Sequence, residues 1–145
     1  MMKKKIALLG STGSIGVNAL KVIRDISESY EIVNLSGNMN ADLMIKQCEE
    51  FQPKSIVMIN EEASEKVQKE LMNKDIEVLS GRENLLRISK EKNVDLVLNA
   101  LVGSSGMEPT LEALKAGVDV ALSNKESLVV AGDLITSSMK NSGAN

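Results

Sequence analysis

Apolar and polar positions alternate between two periods along most of this chain. Ile6, Ala7, Leu8 and Leu9 are four consecutive apolar residues, which suits a parallel strand covered on both faces. Ile15, Ala19, Leu20, Val22, Ile23 and Ile26 then recur at helical spacing. The same exchange repeats downstream: a strand over Glu31 to Ser36, a helix over Ala41 to Phe51 ended by Pro53, and a strand over Ser55 to Ile59. A helix over Glu62 to Met72 turns Ala63, Val67 and Leu71 inward, and a short strand covers Ile76 to Leu79. A helix near Arg82 to Glu91 and a strand over Asp95 to Leu98 follow. A helix near Pro109 to Ala116 closes on Gly117, a good residue after a helix end, and Val118 to Leu122 gives the last clear strand before a helical tail from Leu128.

Six strands alternating with helices predict an α/β domain: a doubly wound, mostly parallel Rossmann-like sheet with helices on both faces. Short right-handed connections place the strands' C-terminal ends on one edge. Three loops meet there, residues 10–16, 99–106 and 123–127. The 145 residues suffice for one domain with its own core, without repeats, linkers or low-complexity tracts.

The first loop carries the sharpest chemistry. Gly10-Ser11-Thr12-Gly13-Ser14-Ile15-Gly16 joins a buried strand to a helix, the context in which a glycine turn cradles a pyrophosphate. Its Gly-x-x-Gly-x-x-Gly spacing is a variant of the usual dinucleotide fingerprint. The hydroxyls of Ser11, Thr12 and Ser14 could cap the helix or bond a phosphate, and a turn of small residues that binds nothing is the plain alternative.

About 20 residues on, where an NAD-preferring fold places Asp or Glu on the ribose 2′-hydroxyl, stands Ser36-Gly37-Asn38-Met39-Asn40. The missing carboxylate permits a 2′-phosphate and so favours NADP. A left-handed turn through Gly37 and Asn38 is the competing reading. Asn99-Ala100-Leu101-Val102-Gly103 leaves room for a flat ligand or forms a structural turn. In Asn124-Lys125-Glu126-Ser127, a lysine between an amide and a carboxylate follows a buried strand. It faces the cofactor edge, ready to orient a carbonyl or hydroxyl substrate, or it is an ordinary exposed lysine.

Composition removes other classes. With 17 basic and 20 acidic residues the formal charge is −3, and Lys3 to Lys5 is the only basic run, so nucleic acid is not the expected partner. There is no histidine, which excludes imidazole-based catalysis or metal binding within this sequence, and the single Cys48 forms no internal disulfide and reads as a core residue. No stretch approaches the ~20 apolar residues of a membrane span, and the glycine turn interrupts any signal-peptide core, so a cytoplasmic protein without membrane attachment is expected.

Together, Gly10 to Gly16, Asn99 to Gly103 with Pro109-Thr110-Leu111, and Leu122 to Leu128 (Leu-Ser-Asn-Lys-Glu-Ser-Leu) resemble the 1-deoxy-D-xylulose-5-phosphate reductoisomerases. The resemblance covers essentially the whole chain, and the last motif is its most specific part. It implies an enzyme that rearranges 1-deoxy-D-xylulose 5-phosphate and reduces the resulting aldehyde with NADPH, giving 2-C-methyl-D-erythritol 4-phosphate with the help of a divalent metal, Mg or Mn. Carried over by position, Thr12, Gly13, Ser14 and Ile15 would hold the pyrophosphate. Gly37, Asn38 and Asn40 would lie near the adenosine ribose, Asn124 and Glu126 would contact NADPH, and Lys125 would face the substrate.

Two departures stand out. Asn38 occupies a position where the family commonly carries Lys or Arg, with one extra residue in that loop. The family's metal-binding Asp-Ser-Glu motif is expected to begin just after Asn145, so no metal ligand or catalytic carboxylate is assigned here, and Asp133 is read as a surface residue. Residues 1–145 are therefore expected to be the NADPH-binding domain of such an enzyme, inactive alone, with most of the family's homodimer surface elsewhere. The alternative is a stand-alone nucleotide-binding or sensor domain without redox chemistry, which would have no use for Lys125.

Overall fold

The computed structural model describes residues 2–123 and Gly143. The four apolar residues of the opening strand sit in β1 (Lys4–Leu9), where Ile6 to Leu9 are all buried, as a strand covered on both faces requires. Its Lys4 is exposed at the open end. Strand and helix then alternate: α1 (Ser14–Asp25), β2 (Tyr30–Gly37), α2 (Ala41–Phe51), β3 (Ser55–Met58), α3 (Glu61–Glu70), β4 (Glu77–Ser80), α4 (Arg82–Ser89) and β5 (Leu96–Asn99). A 3₁₀ turn over Gly103–Gly106 leads into α5 (Met107–Lys115), and β6 (Asp119–Leu122) follows.

Among the described residues the six strands form one sheet in the order β4-β3-β2-β1-β5-β6, with every neighbouring pair parallel. Parallel neighbours need crossover connections, and the helices supply them on two faces. Ile6 and Leu8 pack with Leu20, Met44, Cys48 and Val67, which puts α1, α2 and α3 on one side. Ala7 and Leu9 pack with Leu85, Ile88 and Ala113, which puts α4 and α5 on the other.

A bulge at Val33 adjusts the second strand. Ile6 pairs with Ile32 but Ala7 pairs with Asn34, so Val33 is the extra residue. Ile32 and Leu35, three apart, thereby reach the same core.

The direction of strand succession reverses between β1 and β5. β1 lies between β2 and β5, so the chain runs outward one way through β4 and then returns to build the other half. In open parallel sheets, ligands bind at the C-terminal ends of the two strands flanking that reversal. Here those ends are Leu9 and Asn99, which pair in register.

The candidate nucleotide site

The glycine turn does three separate jobs with its three glycines. Gly10 has φ +79°, a conformation that side-chain-bearing residues rarely adopt, and a Cβ there would lie 3.0 Å from the Ala100 carbonyl oxygen. It lets the chain leave β1 while the loop after β5 presses against it. Gly16, in the first turn of α1, is a packing position: a Cβ would come 2.1 Å from the Gly10 carbonyl oxygen and 2.6 Å from Ser11 Cα. Gly13 is different. Its backbone is extended (φ −79°, ψ 172°), and a Cβ would meet only the Gly10 oxygen, at an ordinary 3.6 Å. Nothing in the packing of the described residues demands a glycine at 13, whereas a ligand approaching the backbone would.

That approach leads to the N-terminus of α1. Gly13 is its N-cap, no side chain caps the helix, and no acidic residue stands in its first turn. The first hydrogen bond runs from the Val17 N–H to the Gly13 carbonyl, 2.9 Å. The N–H groups of Ser14, Ile15 and Gly16 therefore have no acceptor among the described residues, and they carry the positive end of the helix dipole. An exposed glycine in front of three uncommitted donors fits a pyrophosphate.

The loop is held from behind. Gly10 N–H donates to Ser36 Oγ (2.9 Å) and Ser11 N–H to the Ser36 carbonyl (2.8 Å). Ser11 is fully buried, and its hydroxyl lies 2.7 Å from Gln47 Oε1 and 3.2 Å from the Ser36 carbonyl. Of the three hydroxyls left open above, that of Ser11 is thus turned into the protein, while Ser14 is exposed at the helix start and Thr12 is half-buried. Thr12 faces Gly37, where a Cβ would meet Thr12 Oγ1 at 3.0 Å, Met44 Cε at 3.2 Å and Met58 Sδ at 3.3 Å. Gly37 is required by this crowding and not by a left-handed turn, since neither Gly37 nor Asn38 has a positive φ.

Beyond β2, Asn38 is exposed and its carbonyl accepts from Asn60 N–H (3.1 Å). Asn40 caps α2, its Oδ1 accepting from Leu43 N–H (3.1 Å), while its amide nitrogen has no acceptor among the described residues. Sequence reasoning placed Asn38 and Asn40 together, and the structure keeps both at the C-terminal edge next to the glycine turn.

In the second loop, Asn99 is fully buried and structural. Its amide nitrogen donates to the Gly106 carbonyl (2.8 Å) and Thr110 Oγ1 (2.7 Å), and its oxygen accepts from Leu101 N–H (3.1 Å). This set pins the 3₁₀ turn, and α5 starts at Met107, earlier than the sequence suggested. Pro109 fits there because it falls in the first turn, where an N–H has no intrahelical acceptor. Val102 remains 76% exposed on this loop. Ser123 ties the end of β6 to the same place, its Oγ donating to the Asn99 carbonyl (2.7 Å). The expected contacts of Asn124, Lys125 and Glu126, the helical tail from Leu128, and Asp133 lie outside the described residues.

Charge chemistry is sparse at this edge. Among the described residues no three of His, Cys, Asp and Glu come together as metal ligands, so these residues do not fit a divalent cation. Burial pushes the Cys48 thiol up to about 12, with the Glu49 charge adding to it, as befits a closed core position. No described helix is long and apolar enough to cross a membrane. Two residues central to the site were missed in sequence reasoning, Gln47 and Ser36. The signal for Gln47 was an amide on the same helical stripe as Met44 and Cys48, since a buried polar side chain must have a partner.

A doubly wound parallel sheet whose glycine turn opens onto an uncapped helix at the strand-order reversal defines a domain of the Rossmann type. A family model for 1-deoxy-D-xylulose 5-phosphate reductoisomerase matches residues 6–132, and the chain belongs to that family. A relative of that name from Halothermothrix orenii is 45% identical over 142 residues, covering 98% of this chain and 37% of its own length. A crystal structure of DOX-P reductoisomerase in complex with NADPH, fosmidomycin and magnesium superposes with TM-score 0.93 at 37% identity, covering 98% of this chain and 35% of that one. The Zymomonas mobilis reductoisomerase in complex with NADPH gives TM-score 0.92 at 28% identity, covering 99% and 38%. This chain thus spans about a third of the length of the relatives it matches.

Proposed function

We propose that residues 1–145 form the NADPH-binding domain of a reductoisomerase that converts 1-deoxy-D-xylulose 5-phosphate to 2-C-methyl-D-erythritol 4-phosphate, a step toward isoprenoid precursors. The observation that carries the reading is the combination at α1: a glycine that the packing of the described residues does not need, in front of three uncommitted N–H donors. In this reading Thr12, Gly13, Ser14 and Ile15 hold the pyrophosphate. The ribose and its 2′-phosphate lie by Gly37, Asn38 and Asn40, where β2 ends without a carboxylate. Asn124 and Glu126 contact the nicotinamide half, and Lys125 orients the substrate. NADPH supplies the hydride for the reduction. The divalent metal, magnesium or manganese, and the groups that carry the rearrangement are held by other parts of the enzyme, so this chain alone is inactive. The enzyme works in the cytoplasm as a homodimer and binds neither nucleic acid nor membrane.

Calorimetric titration of the chain with NADPH and, separately, NADH tests this. NADPH binding clearly tighter than NADH is the expected result. Absence of NADPH binding, or a preference for NADH, refutes the assignment of the glycine turn and the β2 terminus.

A further inference from the structure

Gln47 sits on the buried stripe of α2 with Met44 and Cys48, only 6% exposed, yet it makes no contact that the helix itself needs. Both of its hydrogen bonds go to one residue, 36 positions earlier in the chain. Its Oε1 accepts from the Ser11 hydroxyl (2.7 Å) and its Nε2 donates to the Ser11 carbonyl (2.9 Å). A carbonyl can only accept, so the amide has one orientation, and the two bonds grip Ser11 from both ends.

The second bond has a consequence for the phosphate turn. The Ser11 carbonyl stands four residues before Ile15, the spacing at which it would accept the Ile15 N–H and extend α1 backwards by two residues. In the structure the Gln47 bond turns that carbonyl toward α2, the intervening Gly13 is extended (φ −79°, ψ 172°), and the Ile15 N–H has no acceptor among the described residues.

We propose that Gln47 is a positioning residue for cofactor binding: by holding the Ser11 carbonyl toward α2, it stops α1 from closing on its own first turn and keeps the Ile15 N–H available to the pyrophosphate. Ser36 supports the same geometry by accepting from the Gly10 and Ser11 N–H groups. The inference rests on the pyrophosphate reading of this loop.

The test compares the 145-residue chain with its Gln47→Leu and Gln47→Glu variants. NADPH and adenosine 2′-monophosphate, which lacks the pyrophosphate, are titrated by calorimetry, and exchange of the Ile15 amide is followed without ligand. In Gln47→Leu, loss of one charge-assisted phosphate bond should weaken NADPH about tenfold. Adenosine 2′-monophosphate should change by less than about twofold, and the Ile15 amide should become protected. Global loosening would instead weaken both ligands and leave that amide unprotected.

Gln47→Glu gives a second reading if the leucine variant folds poorly. A protonated carboxyl can donate to the Ser11 carbonyl and an ionised one cannot, so its NADPH affinity relative to the parent should recover as pH falls. Equal weakening of both ligands, unchanged NADPH affinity, or a pH-independent Gln47→Glu overturns the role of Gln47. Failure of the parent chain to bind NADPH overturns the pyrophosphate reading itself, and this inference with it.

Discussion

Gly13 and Gly16 are three residues apart in one turn, and the structure predicts opposite outcomes for the same added methyl group. At Gly16 an added Cβ would lie 2.1 Å from the Gly10 carbonyl oxygen, 2.6 Å from Ser11 Cα and 2.8 Å from Ser11 C, all backbone atoms of a loop fixed by Ser36 and Gln47. Gly16→Ala must shift α1 or the loop, and overpacking against backbone atoms, at roughly 3 kcal/mol, outweighs the gain of about 1 kcal/mol from the better helix propensity of alanine. At Gly13 the backbone is already extended and the nearest atom is at 3.6 Å, so Gly13→Ala should leave stability within about 1 kcal/mol of the parent, on either side. In the proposed reading of the loop, the same methyl group projects into the space where a pyrophosphate would meet the first-turn donors. Losing one or two charge-assisted hydrogen bonds there weakens NADPH by roughly 10- to 100-fold. Urea unfolding and NADPH calorimetry on both variants separate the two effects. The reasoning fails if Gly13→Ala unfolds as readily as Gly16→Ala, or if it stays folded and binds NADPH as the parent does.

Two further outcomes follow from buried groups. Cys48 is fully buried and its thiol is raised from an ordinary 9.0 to about 12, so it should resist thiol reagents until the chain unfolds. Because the unfolded chain releases that proton first, stability should be unaffected by this group below about pH 9 and fall by about 1.4 kcal/mol per pH unit between 9 and 12. A Cys48→Ala variant should lack that slope, and native reactivity at neutral pH would contradict the placement. Asn99→Asp replaces a donor that faces the Gly106 carbonyl and Thr110 Oγ1, and should cost roughly 3 kcal/mol at neutral pH. Burial raises the pKa of the new carboxyl above its unfolded value, so the penalty should shrink as pH falls toward 4, where the acid can donate again. Denaturant midpoints across pH read this directly, and a flat profile would refute it.

The fold was legible because each element follows from a local rule. A run such as Ile6 to Leu9 has no amphipathic alternative, and stripes such as Leu20 and Ile23 leave a helix one way to face the sheet. Short crossovers of one hand put the strands' C-terminal ends on one edge, while the order of the strands was read only from the structure. The nucleotide turn was legible for a similar reason, since its glycines sit between a strand and a helix that are both recognisable.

What escaped was the hydrogen bonding that joins segments distant in the sequence. Gln47 is 36 residues from its partner Ser11, and the segment from Asn99 to Gly103 stayed open between a ligand pocket and a structural turn until the bonds of Asn99 to Gly106, Thr110 and Leu101 were visible. Periodicity records which face of an element is apolar, but says nothing about which loop a buried amide reaches. A polar residue on an apolar stripe therefore marks where the sequence code is incomplete. In this domain two of those marks, Gln47 on α2 and Asn99 at the end of β5, lie directly behind the two loops that meet at the strand-order reversal. Backbone that must offer its donors to a ligand cannot satisfy them internally, so its shape has to be imposed from the side. Buried amides impose it because they can donate to and accept from the same loop at once. Buried amides also serve elsewhere, as Asn34 does in bonding Ser55 and Glu91, but Gln47 and Asn99 act on the loops where backbone donors are left open.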